Sequence, residues 1–427
     1  MNLFKLQENH TTVTTEITAG VTTFLTMAYI IVLNPAILSE AGMDFGAVFV
    51  ATIVAAAFGT AIMGLWANWP VALAPGMGLN AFFTYGVVLG MGHPWQLALG
   101  AVLWAGLLFL LISLTPLRRW VVDSMPRSLR LGIGAGIGFF LALIGLKNIG
   151  LVVDHPATLV GLGDITDLPV LLAALGFIAM VILDAYKVRG GIVFSILSIS
   201  VLGGLLGITE FHGVIGPAPS IAPTLLQVDF LGVIEAGLIG VVFAFLFVDF
   251  FDTAGTLTSV AHLAGKVDRE GKVAGIGRAL IADSGASVAG ALLGTSNTTS
   301  YIESGAGVSA GGRTGLTAMT VAVLFLACLF LAPLAQSIPA YATGAALVFV
   351  ATFFARNLRE VNWDDVTEYA PAMVATMVMP LTFSVTHGLA LAFISYALIK
   401  LLSLRWRELP PTVAFVAVLS VLYYGLN

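Results

Sequence analysis

Glu303 is the one acidic side chain in a polar, glycine-rich stretch between two long apolar runs. The stretch, TSNTTSYIESGAGVSAGG at 295–312, carries hydroxyl side chains before the acid and glycines after it. A carboxylate accepts N–H hydrogen bonds, and two parallel ones suit a flat heterocycle. Backbone N–H groups beside it, such as those of Ile302 and Ser304, can donate to ring nitrogens or to a carbonyl. The stretch therefore predicts a site for a flat heterocycle.

Two further acids, Asp249 and Asp252, lie in the apolar run VVFAFLFVDFFDTAG. Three residues apart, they share one face of a helix. Acids inside a membrane are costly, by about 2.5–3.5 kcal/mol on insertion scales, so this face is expected to meet protein or a cavity. Two carboxylates so close are expected to titrate as a coupled pair, as a proton-coupled carrier requires. The simpler interpretation, an acid at a helix end near the interface, applies more readily to Asp252.

A second polar break, ALAPGMGLNAFF, centres on Asn80, whose amide can both donate and accept hydrogen bonds. Aromatic side chains near the two breaks and the acids supply possible faces on which a heterocycle can stack. We expect one or two of them to do so and the others to be apolar lining. These aromatic residues are Phe82, Phe83, Phe250, Phe251 and Tyr301.

The composition places these groups in a polytopic, all-α membrane protein. Of 427 residues, 59% are hydrophobic and 10% are charged, whereas soluble domains carry about 25% charged residues. Apolar runs of about 20 residues suffice to cross a bilayer. Without zinc spacing, cofactor fingerprint or nucleophile motif, we expect neither an enzyme nor a metal or cofactor site. The candidate spans are 17–33, 47–66, 71–88, 96–115, 129–149, 169–185, 191–207, 231–256, 274–294, 297–310, 314–334, 340–355, 366–384, 388–403 and 411–426.

Lysine and arginine occupy alternate links between these spans, which predicts the orientation because basic links stay cytoplasmic. The links 34–46, 89–95, 150–168, 208–230 and 335–339 contain neither residue. The N-terminus is therefore expected in the cytoplasm. The basic residues on which this orientation rests are Arg118, Arg119, Arg127, Arg130, Lys187, Arg189, Lys266, Arg269, Lys272, Arg278, Arg356, Arg359, Lys400, Arg405 and Arg407.

The chain also contains an apparent internal repeat. AGVTTFLTMAYIIVLNP at 19–35 resembles IGVVFAFLFVDFFDTAG at 239–255, and each is followed two spans later by a glycine-rich break with a polar centre. Seven spans precede residue 208, so the repeat is inverted in the membrane. Matching broken segments in inverted repeats indicate a transporter's binding site. Half-helices that begin at mid-membrane present free N–H groups there, and non-helical backbone must face protein, water or substrate.

Four motifs in this order resemble the azaguanine-type purine permeases, a branch of the second nucleobase–cation symporter family that also holds the xanthine and uracil permeases. They are FLTMAYIIVLNP, ALAPGMGLNAFF, FVDFFDTAGTL and TTSYIESGAGVSAGGRTGLTA. The resemblance implies fourteen transmembrane segments in two inverted sets of seven, with short strands in segments 3 and 10. It also implies core-domain halves at 17–115 and 230–335 and gate-domain halves at 128–208 and 339–427.

The resemblance further implies which residues act. The substrate-binding acid of the family falls on Glu303, with backbone donors at Tyr301, Ile302 and Ser304. Asn80 is its counterpart in the third segment. The D-x-x-D acids, Asp249 and Asp252, are implied to bind the base or couple it to protons; Phe82 and Phe250 are our stacking candidates. The family forms homodimers through the gate domain and works by an elevator movement.

We therefore predict proton-driven import of purine bases across the inner or plasma membrane, with adenine first and hypoxanthine or guanine next. No nucleic-acid partner is expected. A sodium-coupled nucleobase carrier is one alternative, because Asp249 and Asp252 could help to bind either cation. An anion carrier or channel of the same architecture is another, but Glu303 would repel an anion. A membrane enzyme or scaffold is the weakest alternative.

Overall fold

The computed structural model describes residues 3–115, 125–267 and 273–426. The predicted cytoplasmic residues Arg118, Arg119, Arg269 and Lys272 lie outside these ranges. The elements up to residue 205 are α1 Val13–Met27, α2 Ile30–Glu40, α3 Phe45–Ile62, β1 Leu73–Pro75, α4 Met77–Ala81, α5 Trp95–Leu114, α6 Arg127–Ile149, β2 Val152–His155, β3 Leu159–Leu162, α7 Leu168–Ala185 and α8 Gly191–Leu205.

A long link without regular structure over most of its length joins α8 to the second half of the chain. The elements there are α9 Gly232–Glu235, α10 Ile239–Leu263, α11 Ile276–Leu293, β4 Thr298–Ser300, α12 Ser304–Ser309, α13 Gly315–Ala327, α14 Ala332–Gln336, α15 Ala340–Ala355, α16 Val366–Leu381, α17 Val385–Leu402 and α18 Pro411–Leu426. π-Helical turns extend α3 through Met63–Ala67 and continue α4 through Phe82–Gly90.

Ten helices in the described residues are long and apolar enough to cross a membrane. Met77–Gly90, Gly191–Leu205 and Pro411–Leu422 are apolar but shorter. Each of the fifteen segments expected from the sequence coincides with a helix or with a strand followed by a helix. The protein is therefore a multi-pass, mainly helical membrane protein, as its composition predicts.

The last three segments are separate helices. A short turn that includes Phe383, with φ 53°, divides α16 from α17. The imidazole Nδ1 of His387, near the beginning of α17, lies 2.6 Å from the hydroxyl of Tyr424, near the end of α18. These two helices consequently run in opposite directions.

Two short strands lie in segments 3 and 10, where the resemblance implies them. β1 pairs antiparallel with β4, with Leu73 opposite Ser300 and Pro75 opposite Thr298. All six strand residues are buried. Leu73 N–H donates to the hydroxyl of Thr60 at 2.8 Å, so an outer edge of the ladder is also satisfied. Such pairing is what allows extended backbone to exist inside a membrane protein.

The helices pack in two groups. We call α1–α5 with α10–α14 the first bundle; within it α5 packs on α10 and α11, and α13 packs on α1 and α3. We call α6–α8 with α15–α18 the second bundle; within it α6 packs along α15 and α16. The groups meet at fewer places, among them α2 against α15 and α10 against α17. The crossing strands belong to the first bundle.

Candidate functional site

Glu303 lies directly before α12, in the turn that joins β4 to this helix. Its Oε1 accepts a hydrogen bond of 2.6 Å from the hydroxyl of Tyr29. Tyr29 is buried at the junction of α1 and α2, whereas Glu303 is partly exposed and its neighbour Ile302 is 50% exposed. The carboxylate is thus held from one side and open on another. Sequence reasoning missed Tyr29, because 274 positions separate it from Glu303.

The backbone donors expected beside Glu303 differ in availability. Tyr301 N–H donates to the carbonyl of Ala72 at 2.9 Å, which extends the strand ladder. Ser304 N–H donates to the carbonyl of Tyr301 at 3.1 Å, which begins the turn into α12. The N–H of Ile302 makes no hydrogen bond to the described residues. In this conformation Ile302 is therefore the one member of the expected trio with an unused N–H.

Asp249 is almost fully buried, 1% exposed, in the middle of α10. Its Oδ2 accepts from Ser287 Oγ at 2.8 Å and from Asn297 Nδ2 at 2.9 Å. Its Oδ1 is buried and has no hydrogen-bond partner among the described residues. A buried oxygen without a donor is costly. A proton or another donor at Oδ1 would remove that cost.

Asp252 has a different setting from Asp249 although both lie on α10. Its side chain is exposed and within electrostatic reach of Glu303 and Asp249. Gly255, Ser259 and His262 are exposed too and lie on the same face, towards the end of α10. That end leads to the loop with Lys266, one of the basic residues that the sequence predicts to be cytoplasmic. A polar face thus runs from the acids to the basic end of the helix.

A further intramembrane acid, Asp283 in α11, was missed by sequence reasoning. It is completely buried and accepts from Thr253 Oγ1 at 2.7 Å and from Ser300 Oγ at 2.5 Å. These bonds tie α10, α11 and β4 together. The signal was available in the sequence, because Asp283 interrupts an apolar run just as Asp249 does.

Asn80 is fully buried in α4, and Ser296 donates a hydrogen bond to its Oδ1. Its Nδ2 points to the sulfur of Met77 at 4.0 Å. The structure therefore brings Asn80 next to the segment that leads into β4. It gives no direct contact between Asn80 and Glu303.

The two aromatic residues chosen for stacking are each 1% exposed and packed against other rings. Phe82 lies 4.7 Å from Phe245 between ring centroids, and Phe250 lies 5.1 Å from Phe109. Tyr301 is also buried, and its hydroxyl donates to the carbonyl of Pro75 at 2.6 Å. In this conformation these rings hold the strands and α10 in place.

Glu16 fixes the far end of the half-helix α12. Fully buried in α1, it accepts from Arg313 N–H at 2.9 Å and from Thr317 Oγ1 at 2.6 Å, at the beginning of α13. Gly307 in α12 faces α1 so closely that a Cβ there would clash with Thr23 and the Ala19 carbonyl. Close packing of α12 on α1 therefore holds both Glu303 and its partner Tyr29.

Comparisons with known proteins identify the family of the chain. The Permease family matches residues 14–391. Adenine permease AdeP of Escherichia coli (strain K12) is 47% identical over 420 residues, which cover 98% of this chain and 94% of AdeP. Guanine/hypoxanthine permease PbuO of Bacillus subtilis (strain 168) is 42% identical over 425 residues, which cover 98% of each chain.

Among solved structures, the transmembrane domain of a cyanobacterial bicarbonate transporter, BicA, matches with a TM-score of 0.67 and 20% identity. The match covers 88% of this chain and 96% of that one, and it shows a shared fold alone. The family match and the permease relatives identify the chain as a membrane transporter and not an enzyme. The chain belongs to the Permease family, which confirms the family resemblance of its four motifs.

Proposed function

We propose that the protein imports purine nucleobases, adenine first and hypoxanthine or guanine next, by proton symport. The observation that carries the proposal is Glu303, a partly exposed carboxylate with one oxygen held by Tyr29, at the crossing of two buried strands. The names of relatives that are adenine and guanine/hypoxanthine permeases support the same substrate class.

Recognition follows from the polar groups of Ile302, which is exposed, and of Glu303, which is partly exposed. A purine presents N–H donors and ring-nitrogen acceptors on adjacent positions of one edge. Glu303 supplies an acceptor and the Ile302 N–H supplies a donor one residue away, so one edge can satisfy both. Charge-assisted N–H···O bonds are roughly twice as strong as neutral ones. The buried residues Asn80, Phe82, Phe250 and Asp249 support the site from behind in this conformation. Tyr301 and Ser304 shape the turn that presents Glu303.

Proton coupling is assigned to the acids of α10. The carboxylate of Asp252 is exposed and within electrostatic reach of Glu303, so it can exchange a proton with water. Asp249 has a buried oxygen, Oδ1, without a donor, which a proton would satisfy. We assign Asp252 the exchange with solvent and Asp249 the inner position of the pair. A sodium-coupled carrier is the competing assignment and is separated by the experiment below.

The proposed movement is an elevator, in which the first bundle acts as the core domain and the second as the gate domain. The packing supports this division because contacts are dense within each bundle and sparse between them. One hydrogen bond between bundles joins Glu40 of α2 to Asn148 of α6 at 3.0 Å. That end has no basic residue in its links, so it is assigned to the outside. The bond must break when the core moves.

The remaining assignments follow from this scheme. The fifteen segments would then comprise the fourteen of the family's inverted repeat and α18. We place the protein in the inner or plasma membrane with its N-terminus in the cytoplasm, as a homodimer through the gate domain. An anion carrier of the same architecture is not favoured, since the fold is shared with a bicarbonate transporter but Glu303 would repel an anion.

Uptake of labelled adenine into cells that lack their own purine transporters tests the proposal. Cells that express the protein should accumulate adenine, and unlabelled hypoxanthine should compete. Collapse of the pH gradient should abolish accumulation, whereas removal of sodium should leave it unchanged. Adenine uptake equal to that of empty cells would contradict the substrate class. Accumulation that follows sodium and ignores the pH gradient would contradict proton symport.

A further inference from the structure

The Tyr29–Glu303 hydrogen bond joins two elements that are remote in sequence at the centre of the site. Tyr29 is 2% exposed and lies in the helical turn between α1 and α2, from which its hydroxyl reaches Glu303. No residue of the described ranges other than Glu303 itself donates a hydrogen bond to the other carboxylate oxygen, Oε2. The two oxygens of Glu303 are therefore unequal before any substrate arrives.

We propose that Tyr29 is a positioning residue that occupies Oε1 and directs Oε2 of Glu303 towards the base. The inference rests on the proposed transport of purines and deepens it. It replaces the expected pair of parallel N–H bonds to both carboxylate oxygens with a single N–H bond to Oε2. Tyr29 itself does not touch the base in this scheme.

The physical reason is preorganisation. A glutamate side chain loses rotamer freedom when it is fixed in one geometry. A short O–H···O⁻ bond is among the stronger hydrogen bonds of proteins and fixes that geometry in advance. Because α12 also packs closely on α1 at Gly307, the donor and acceptor move together with the same bundle. The orientation of Oε2 is thus kept while the first bundle moves.

The test begins with Tyr29→Phe, which removes the hydroxyl and keeps the ring. Tyr341→Phe is the matched control, because it deletes a tyrosine hydroxyl bonded to Thr209 at 2.6 Å in the second bundle. We expect Tyr29→Phe to weaken adenine binding to the purified protein about tenfold, the usual worth of one charged hydrogen bond. The maximal uptake rate should remain near wild type, and the control should bind adenine as wild type does.

A substrate series separates positioning from a merely structural role. Purine lacks the amino group of adenine, and 9-methyladenine lacks its ring N–H. In the wild type, the analogue without the N–H that Glu303 accepts should bind about tenfold more weakly. In Tyr29→Phe the same deletion should matter much less, because Oε2 is no longer directed. Equal weakening of adenine and both analogues by Tyr29→Phe would overturn the inference.

The wild-type protein alone gives a second measurement if Tyr29→Phe does not fold. One N–H deletion should then be costly and the other nearly neutral; two equally costly deletions would mean that both oxygens accept, against the proposal. Failure of the proposed function looks different, because the wild type would then bind neither adenine nor the analogues.

Discussion

Four carboxylates of the first bundle fall into two pairs with opposite surroundings. The carboxylate of Glu303 is partly exposed and that of Asp252 is exposed, and no described residue other than Glu303 itself donates to Oε2 of Glu303. Asp283 and Glu16 are fully buried, and both oxygens of each accept hydrogen bonds from neighbouring elements. The difference indicates two uses for an intramembrane acid. An acid such as Asp283, whose two carboxylate oxygens both accept hydrogen bonds, joins helices and strands. An exposed or partly exposed acid such as Asp252 or Glu303 can instead bind an N–H group or a proton.

The largest expected effect is the loss of substrate recognition when Glu303 is changed. Glu303→Gln should lower the kcat/KM of adenine uptake about 100-fold, because the amide loses the charge and offers an N–H where an acceptor is needed. Glu235→Gln, at an exposed acid in α9, is the matched control and should transport as wild type does. Equal rates for Glu303→Gln and wild type would remove Glu303 from the site.

The next largest effect concerns the coupling of transport to protons by Asp252, the exposed acid of the same pair. Asp252→Asn cannot take up or release a proton, so adenine accumulation driven by a pH gradient should fall about tenfold or more. Exchange of labelled for unlabelled adenine across the membrane, which needs no net proton movement, should continue. Proteoliposomes with an imposed pH gradient allow both measurements. Gradient-driven accumulation at the wild-type level in Asp252→Asn would show that the proton is carried elsewhere.

Changing Asp283, one of the two buried acids, should affect transport less but should clearly lower the stability of the protein. Asp283→Asn turns an amide N–H₂ towards one of the two donors, Thr253 or Ser300, which should destabilise the protein by about 1–3 kcal/mol. Thermal unfolding in detergent should show this loss, and adenine affinity of the folded protein should change little. Glu303→Gln should show the reverse pattern. If both variants lose stability and neither loses affinity, the two groups do not differ in use.

The smallest effect concerns an acid outside the spanning helices, which serves as a reference for both groups. Asp365 caps α16 and pairs with Arg405 at 2.7 Å. Hydrogen bonds from Thr367, followed by the Arg405 contact, lower the pKa of Asp365 from 3.8 to about 2. A lowered pKa means that the contribution to stability is complete above the ordinary value and is lost as pH falls through about 2.

Asp365→Asn should accordingly lower the melting temperature slightly at neutral pH. The decrement should keep its size in mildly acidic buffer and disappear only as the pH approaches about 2. Melting curves of wild type and variant across this range give the measurement. A decrement that already fades between neutral and mildly acidic pH would mean that Asp365 titrates near its ordinary value.

The sequence predicted the membrane fold well because hydropathy and single odd charges act locally. Each apolar run corresponds to a helix or to a short strand followed by a helix. Glu303 could be recognised because burying an acid in a membrane protein is costly unless the acid has a function. The partner of Glu303 could not be found in this way, since the Tyr29 contact depends on how α1 packs against α12. Likewise the availability of the backbone donors depends on strand pairing, which occupies the N–H of Tyr301.

The burial of individual side chains could not be predicted from the sequence either. Asp249 and Asp252 are close in the chain and were expected to act as one pair. In the structure, Asp249 is buried and hydrogen-bonded, whereas Asp252 is exposed. Phe250, next to Asp249, was a reasonable stacking candidate by type, but its ring packs against Phe109. Such differences arise from the direction of each side chain on α10, which requires the neighbouring helices to be known.

An experimental structure of the protein with adenine bound tests the central claim most directly. The account predicts the base at the crossing of β1 and β4, with one of its N–H groups about 3 Å from Oε2 of Glu303 and with Tyr29 still bonded to Oε1. A base bound elsewhere, or one whose edge meets neither Glu303 nor the Ile302 N–H, would contradict it.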